Sequence, residues 1–191
     1  MKGVGAASLV TVICGILAIA LLLYAALHDL AARTVPNWLP LCVLALGIVA
    51  RLMDHTLETG LIIAAATFAV LFAIWVLGYM GGGDVKLWAA TALLIPPQLR
   101  PELNFFLLVF VLGGLLGLIY LAMWPLLRRR LVRRRRAALA GVPMPPAPPR
   151  GLLRRALRAE AWRIGRRGPL PYACAIAAGA IMSLLPVFPQ L

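Results

Sequence analysis

Long apolar runs separated by short polar segments make up most of this chain. The first run, Val4 to Leu27, holds 24 residues and no charge. At 1.5 Å per residue, a helix of that length crosses a hydrocarbon core of about 30 Å. The later apolar runs predict five more helical spans, over Trp38–Met53, Gly60–Leu77, Val85–Pro97, Leu103–Leu127 and Gly168–Phe188. The pattern therefore predicts an all-α polytopic membrane protein with six transmembrane helices.

The composition supports a membrane protein over a soluble one. Hydrophobic residues make up 63% of the 191 residues, and the mean hydropathy is +0.95. A soluble domain is usually about half apolar. The first run is longer than the apolar core of a signal peptide, and only Lys2 provides charge ahead of it, so we expect a first span that is retained.

The fourth predicted span is short, and a run of its length could also be re-entrant. If it crosses, Arg33, Lys86 and the basic segment Arg128–Arg167 share one side, which then holds 16 of the 19 lysines and arginines. Loops on the cytoplasmic side are enriched in these residues, so the charges favour a crossing. We therefore predict one membrane-embedded domain over residues 1–191, with both termini outside and a cytoplasmic loop over residues 128–168 between spans five and six.

This Arg/Pro-rich loop carries most of the net charge of +13. In its second part, apolar residues recur at helical spacing among arginines, at Leu153, Leu157, Ala161 and Ile164. Such a pattern is typical of an interfacial amphipathic helix that binds anionic membrane lipids. A nucleic-acid patch is an alternative, but the segment lies between two spans and lacks regular aromatic interleaving. The simplest interpretation, which the pattern favours, is a charge that only fixes the topology.

Two carboxylates are predicted at the inner ends of helices. Asp29 lies at the end of the first span, and Asp84 ends the glycine hinge Gly81-Gly82-Gly83 between spans three and four. The other acidic residues are expected on the outer side or among the loop arginines: Asp54, Glu58 and Glu102 outside, and Glu160 in the loop, where we expect it to be solvated.

Two carboxyl groups a few ångströms apart can share one proton, and aspartic proteases use such a pair for catalysis. The ionised member takes a proton from the attacking water, and the protonated member donates a hydrogen bond to the scissile carbonyl oxygen. A helix N-terminus at Asp84 would favour that residue as the ionised member, although the sequence does not assign the base.

Two other interpretations of the aspartates stay open at this point. The structural one is a capped turn at Asp84, or charge pairs of Asp29 with Arg33 and of Asp84 with Lys86. The other is a non-catalytic membrane protein, either an assembly factor or a relay for ions or protons. Relay carboxylates usually lie near the membrane midplane, whereas these are predicted at the rim.

Other kinds of hydrolytic site are disfavoured because the sequence lacks the residue patterns that they require. Ser8 and Ser183 stand outside any GxSxG sequence. His28 and His55 are predicted on opposite sides of the membrane, and no HExxH sequence occurs.

The cysteines Cys14, Cys42 and Cys174 fall singly inside apolar runs. We therefore predict that they are small buried hydrophobic residues rather than disulfides or metal ligands. The sequence predicts no metal site and no cofactor.

Three segments together resemble one known family. Met80–Leu87 contains Gly81, Gly83 and Asp84 in an arrangement that looks like the GxGD motif of the type IV prepilin peptidases. Asp29, followed by Arg33-Thr34-Val35-Pro36-Asn37, is similar to the first catalytic aspartate of that family with its basic and Pro-Asn continuation. Leu170–Ala180 resembles the last helix of the small Flp-pilus branch, the TadV or CpaA type.

The resemblance implies an aspartic endopeptidase of the bacterial inner membrane. Such an enzyme removes, at the cytoplasmic face, the short basic leader of prepilins and pseudopilins, usually after glycine. It implies that Asp29 and Asp84 are the catalytic pair. The implied motif and substrate-binding residues are Gly81, Gly83, Lys86, Pro36 and Asn37.

The chain departs from the family pattern in two respects. Larger members carry a cysteine-rich cytoplasmic domain and N-methylate the mature pilin; no such domain is seen here, so N-methyltransferase activity is not expected. The Arg/Pro-rich loop is also longer than we expect for the small branch. Presenilin-like proteases share GxGD, but they have nine spans and a Pro-Ala-Leu element that does not occur in this sequence.

Overall fold

The computed structural model describes residues 6–140, 160–165 and 170–185, and these residues are largely helical. The helices are α1 (Ala6–Ala32), α2 (Trp38–Met53), α3 (Leu57–Val76), α4 (Gly82–Leu94), α5 (Leu99–Leu139) and α6 (Tyr172–Leu184). Residues 160–165 are also helical. The predicted all-α class is therefore confirmed.

Three helices are long and apolar enough to cross a membrane, over Ser8–Ala32, Leu57–Val76 and Leu99–Arg129. Two further apolar helices, α2 and α6, are shorter. Together with the composition, these helices identify a membrane protein.

The chain divides into two compact units. The first comprises Met1–Gly113 and Pro171–Leu191, and the second comprises Gly114–Leu170. The helix α5 continues to Leu139, so the segment predicted as a loop from residue 128 begins with helix. Arginine is a good helix former, and a run of arginines does not end a helix.

The second unit holds a small polar cluster around Glu160. The Tyr120 hydroxyl donates a hydrogen bond to its carboxylate, and Arg163 forms an ion pair with it at 3.2 Å. The prediction that Glu160 is simply solvated among arginines is therefore wrong. Ile164 is buried, whereas Leu153 and Leu157 lie outside the described residues.

Helix α4 lies at the centre of the first unit. Every residue from Leu87 to Ile95 is buried, and the helix packs against α2, α3 and α6. Glycines allow this close packing: a Cβ at Gly47 of α2 or at Gly60 of α3 would lie only 3.2 or 3.1 Å from the Leu93 side chain. Small residues at helix contacts are the usual way to bring helix backbones together in membrane proteins.

The direction of each helix follows from contacts at its two ends. Helices α1 and α2 are antiparallel, because Thr11 donates to the Asp54 carboxylate at 3.0 Å near one end and Tyr24 contacts Trp38 near the other. Helix α4 runs alongside α2 in the same direction, since its first turn meets the residues before α2 and its last turn meets Gly47. The α1 C-terminus and the α4 N-terminus therefore lie at one end of the first unit.

The opposite end carries a second polar cluster. Arg51 is only 2% exposed and forms an ion pair of 3.0 Å with Asp54. Its guanidinium also lies 3.5 Å from the Thr56 hydroxyl and within electrostatic range of the buried Glu102. The acids Asp54 and Glu102, predicted on the outer side, thus lie together at the end away from α4's first turn.

The cysteines agree only in part with their prediction. All three are free thiols; Cys14 is buried and Cys174 is half-buried, but Cys42 is exposed. The prediction for Cys42 is wrong because the apolar pattern of a membrane helix does not separate a core face from a lipid-facing one.

Candidate active site

Asp29 lies in the last turn of α1 and is 5% exposed. The helix ends at Ala32, and the next residue, Arg33, has φ 57° while its N–H donates to the Asp29 carbonyl oxygen at 2.8 Å. One turn before Asp29, the Ala26 carbonyl oxygen accepts a bond from Cys174 Sγ at 3.6 Å. The start of α6 is therefore fixed beside the end of α1 that carries Asp29.

Asp84 lies in the first turn of α4, ahead of that helix's buried apolar residues. Gly81 is the N-cap, and its carbonyl oxygen accepts hydrogen bonds from the N–H groups of Asp84 and Val85 at 3.1 and 3.2 Å. The alternative of Asp84 as a capping residue is therefore wrong, because the cap lies three positions earlier. The Asp84 carboxyl is left for another role, and its buried Oδ1 has no hydrogen-bond partner among the described residues.

The two aspartates are brought to the same place by a close backbone contact. A Cβ at Gly83 would lie 3.1 Å from Val35 Cβ, 3.5 Å from its carbonyl oxygen and 3.6 Å from its nitrogen. The segment after α1 therefore rests directly on the first turn of α4. As a result, the charge of Asp29 acts on Asp84, and so does the charge of Arg33.

Lys86 does not form the charge pair with Asp84 that the structural interpretation predicted. Its Nζ donates to the Asn37 side-chain oxygen at 3.0 Å, and Pro36 accepts the N–H of Leu39 through its carbonyl oxygen at 3.0 Å. The Pro-Asn sequence thus begins α2 and meets the second turn of α4. Lys86 and Asn37, both exposed, form the polar end of this contact.

An apolar groove with a volume of about 450 Å³ opens from the Lys86–Asn37 contact. Its remaining lining comes from one face of α2, one face of α3 and two alanines of α4: Pro40, Leu41, Leu44, Leu61, Ala64, Ala65, Phe68, Ala89 and Ala90. The groove therefore has one polar end, close in sequence to Asp84, and an apolar body along the helices.

Burial and the neighbouring Asp29 charge raise the pKa of Asp84 to about 7, while Arg33 opposes them. Burial is the largest of the three effects, because removing a carboxylate from water destabilises its charged form. Desolvation therefore opposes the helix N-terminus, which was expected to favour an ionised Asp84. The arrangement provides one carboxyl that keeps a proton near neutral pH beside another buried carboxyl.

The site also includes two aromatic residues, neither of which the sequence pattern had singled out. Trp88, one turn after Asp84, is fully buried and stacks on Tyr172 with ring centroids 5.9 Å apart. The Tyr172 hydroxyl lies within electrostatic range of Asp84. Tyr172 stood inside the recognised last-helix pattern, but nothing in the local sequence marked Trp88 as different from other apolar residues of a span.

The histidines lie at different ends of the first unit, as predicted for opposite sides. His28 Nδ1 lies 2.7 Å from the Thr34 carbonyl oxygen at the aspartate end. His55 follows α2 at the other end, beside Asp54, and has φ 54°. In the described part of the chain, no pair of histidines lies at the end that carries Asp29 and Asp84.

The sequence was compared with protein families and with individual proteins. The model of the type IV leader peptidase family matches residues 16–121, which is more than half of the 191 residues and includes both Asp29 and Asp84. Searches of curated proteins and of solved structures gave no match. The family match and the predicted resemblance agree, and the chain therefore belongs to the type IV leader peptidase family.

Proposed function

We propose that this protein is a membrane aspartic endopeptidase that cleaves the basic leader of type IV, Flp-type prepilins and pseudopilins. The observation that carries the proposal is that Asp29 and Asp84, 55 positions apart in the sequence, are brought to one end of the helix bundle, where each lies in the electrostatic field of the other. Family membership supplies the peptidase class. Asp29 and Asp84 are the proposed catalytic residues.

The proposed chemistry is hydrolysis by one water molecule and two carboxyl groups. The ionised carboxylate of Asp29 takes a proton from the water while the water oxygen attacks the scissile carbonyl carbon. The protonated Asp84 donates a hydrogen bond to the carbonyl oxygen and stabilises its developing negative charge. As the carbon–nitrogen bond breaks, the proton taken by Asp29 passes to the leaving amine, and both carboxyls return to their starting states.

The pKa of Asp84, raised by burial and by Asp29, supports this division of roles. An acid that titrates near neutral pH is well matched to work at cellular pH. The reaction as proposed requires no cofactor and no metal.

Substrate contact is proposed for the glycines and for the polar contact next to them. Gly81 is exposed and has no side chain, which supports access of an extended leader to Asp84. Gly83 acts indirectly, because it lets Val35 approach the first turn of α4 and so brings the aspartates together. Lys86 and Asn37 form the polar end of the apolar groove, and Pro36 fixes the start of α2 beside them. Their position beside the aspartates supports the proposal that this end of the groove meets the substrate.

We also propose six spans, with the aspartates at the cytoplasmic face of the bacterial inner membrane. Helix α4 runs alongside α2 from the Val35 contact to Gly47, which supports a crossing by residues 85–97 rather than a re-entrant loop. In the second unit, Arg128 lies over the Trp124 ring at 5.1 Å, and the arginines that follow continue the helix. Tryptophan followed by arginines is typical of the cytoplasmic interface.

The arginines after Trp124 and in residues 141–167 are proposed to contact anionic lipids of that interface. No nucleic acid is expected as a partner. The assignment to the TadV or CpaA branch rests on the Leu170–Ala180 pattern, which the family match at residues 16–121 does not include.

Asparagine substitutions of the two aspartates test the proposed function. Asp29→Asn and Asp84→Asn keep the side-chain shape but remove the acid, so each is expected to reduce leader cleavage by at least about 100-fold. The matched control is Asp54→Asn at the opposite end, which is expected to retain cleavage. Each variant is co-expressed with a Flp-type prepilin, and the size shift of the prepilin is followed on a gel while membrane insertion is checked by fractionation.

Normal processing by either Asp29→Asn or Asp84→Asn would exclude the proposed protease. If the unsubstituted protein leaves the prepilin intact but dissipates a proton or ion gradient in vesicles, the alternative of a relay gains support instead.

A further inference from the structure

Arg33 adopts a backbone conformation that is strained for a residue with a side chain. Its φ of 57° lies in the left-handed region, where Cβ crowds the following carbonyl oxygen. Its N–H donates to the Asp29 carbonyl oxygen at 2.8 Å, which closes the end of α1. Glycine is the usual residue at such a helix end because it carries no Cβ. An arginine therefore occupies a position where glycine would be less strained.

The Arg33 side chain extends towards the aspartates rather than into open solvent. Its Nε and Nη1 atoms are buried, although long basic side chains usually keep their charged ends in water. Asp29 lies four residues earlier, which is about one helical turn, and the Arg33 charge also acts on Asp84. The strained backbone thus coincides with a half-buried cation at the proposed active site.

We propose that Arg33 is a positioning residue of the aspartate site, whose left-handed backbone places a permanent positive charge beside Asp29 and Asp84 so that one of the two carboxyls stays ionised. Two buried carboxyls without such a charge both favour the neutral form, which leaves no base to activate water. Arginine suits this role because its guanidinium stays protonated at any pH at which the protein is folded. The inference rests on the proposed function, in which one carboxyl must be ionised and the other protonated.

Other titratable groups at this end come from each element packed around Asp84. They are Asp29 and His28 from α1, Lys86 from α4, Tyr79 from the turn before α4, and Tyr172 and Cys174 from α6. Lys86 is exposed and donates to Asn37, and Tyr79 is also exposed. Tyrosine hydroxyls are neutral near pH 7. Arg33 is the cation that lowers the pKa of Asp84 against the opposing effects of burial and Asp29.

The proposal predicts the direction in which the pH profile of cleavage moves. Removing a positive charge makes each proton harder to lose, so both the acid and the alkaline limb move to higher pH. An opposite charge within about 4–6 Å changes a carboxyl pKa by about 1–3, so we expect a displacement of about one pH unit or more. A residue that only ends the helix would leave both limbs in place.

Three substitutions of Arg33 separate its charge from its backbone strain. Arg33→Gln removes the charge and keeps the strain, Arg33→Gly removes both, and Arg33→Lys keeps both. His55→Gly is the matched control, because His55 also has a left-handed φ of 54° but lies at the opposite end. His55→Gly relieves strain and is not expected to lower the unfolding temperature. Arg33→Gly relieves strain but also removes the cation, so its unfolding temperature is compared with that of Arg33→Gln, above which it is expected to lie.

The purified full chain is assayed for prepilin cleavage between pH 5 and 9. Its carboxyls are titrated in parallel by NMR with ¹³C-labelled aspartate, for which Asp54→Asn assists assignment because the chain has only three aspartates. We expect Arg33→Gln and Arg33→Gly to move the limbs and the Asp84 carboxyl titration to higher pH. Arg33→Lys and His55→Gly are expected to keep them close to those of the unsubstituted protein.

Two failures are distinguishable in this experiment. If the limbs of the pH profile and the carboxyl titrations do not move in Arg33→Gln and Arg33→Gly, the proposed role of Arg33 is wrong. The proposed protease activity would still stand. Absence of cleavage by the unsubstituted protein would overturn the proposed function, while the carboxyl titration, which needs no substrate, still supports or overturns the effect of Arg33 on Asp84.

Discussion

Val35 and Gly83 form the contact that joins the segment after Asp29 to the helix turn that carries Asp84. A Cβ placed on Gly83 would lie 3.1 Å from Val35 Cβ and 3.5 Å from the Val35 carbonyl oxygen. Because Val35 follows the helix that carries Asp29, and Gly83 precedes Asp84 directly, this contact determines how closely the aspartates approach each other. A glycine at this position thus allows close packing against another segment of the chain.

Gly83→Ala should separate the two segments. In an exposed helix, replacing glycine by alanine usually stabilises by about 0.5–1 kcal/mol. Here the added methyl would lie 3.1 Å from Val35 Cβ, which is fixed to the backbone and cannot rotate away, so we expect a net loss of about 1–3 kcal/mol in the free energy of unfolding. Since displacement of about 1 Å can cost about 100-fold in rate, leader cleavage should fall at least tenfold. Thermal unfolding in detergent and a cleavage assay measure the two effects.

The matched control for this prediction is Gly114→Ala in α5, where an added Cβ meets nothing within 4 Å. That variant should be as stable as the unsubstituted protein, or more so, and should cleave normally. Equal behaviour of the two alanine variants would show that the Val35 contact does not hold the site together.

Gly81→Ala should affect activity without affecting the fold. The backbone of Gly81, at φ −74° and ψ 138°, is open to any residue, so alanine causes no strain there. Its Cβ would lie 3.0 Å from Asp84 Oδ2, which is the end of a side chain that can rotate. We expect the unfolding free energy to change by no more than about 0.5 kcal/mol, whereas cleavage falls at least tenfold because the Asp84 carboxyl is turned away. A variant that cleaves normally would contradict the placement of Asp84 at the reacting carbonyl.

Local pattern predicted the helices and the helix ends that carry Asp29 and Asp84, but not the contacts between those ends. The apolar run at Trp38–Met53 gave the observed bounds of α2, because the length of such a run depends only on neighbouring residues. The bond between Lys86 and Asn37 joins positions 49 apart, which no short-range pattern specifies. Arg33 is a good helix former by propensity, so its left-handed φ could not be predicted. The effect of burial on Asp84 likewise depends on the helices around it.

The rate of cleavage should fall as the pH rises above about 7. The pKa of Asp84 is about 7 in the folded protein, so this carboxyl holds its proton below that pH and loses it above. Loss of one essential proton lowers the rate roughly tenfold for each pH unit. Initial rates with a leader peptide that does not itself titrate between pH 6 and 9 measure this limb, and unfolding temperatures over the same range show that the fold persists. A rate that still increases from pH 7 to 9 would contradict a protonated Asp84 in the reaction.

Arg51 should matter for stability and not for cleavage. Its side chain is 2% exposed, pairs with Asp54 at 3.0 Å and lies near the buried Glu102, at the end of the first unit away from the aspartate site. Arg51→Met leaves two acids without their cation, and breaking a buried pair in this way costs about 3–5 kcal/mol. Asp54→Asn should cost less, about 1–3 kcal/mol, since that side chain is 23% exposed and keeps an oxygen for Thr11. Unfolding in denaturant gives both values, and cleavage per folded molecule should equal that of the unsubstituted protein. If folded Arg51→Met failed to cleave, the two ends of the bundle would have to be coupled, because no contact described here joins Arg51 to Asp29 or Asp84.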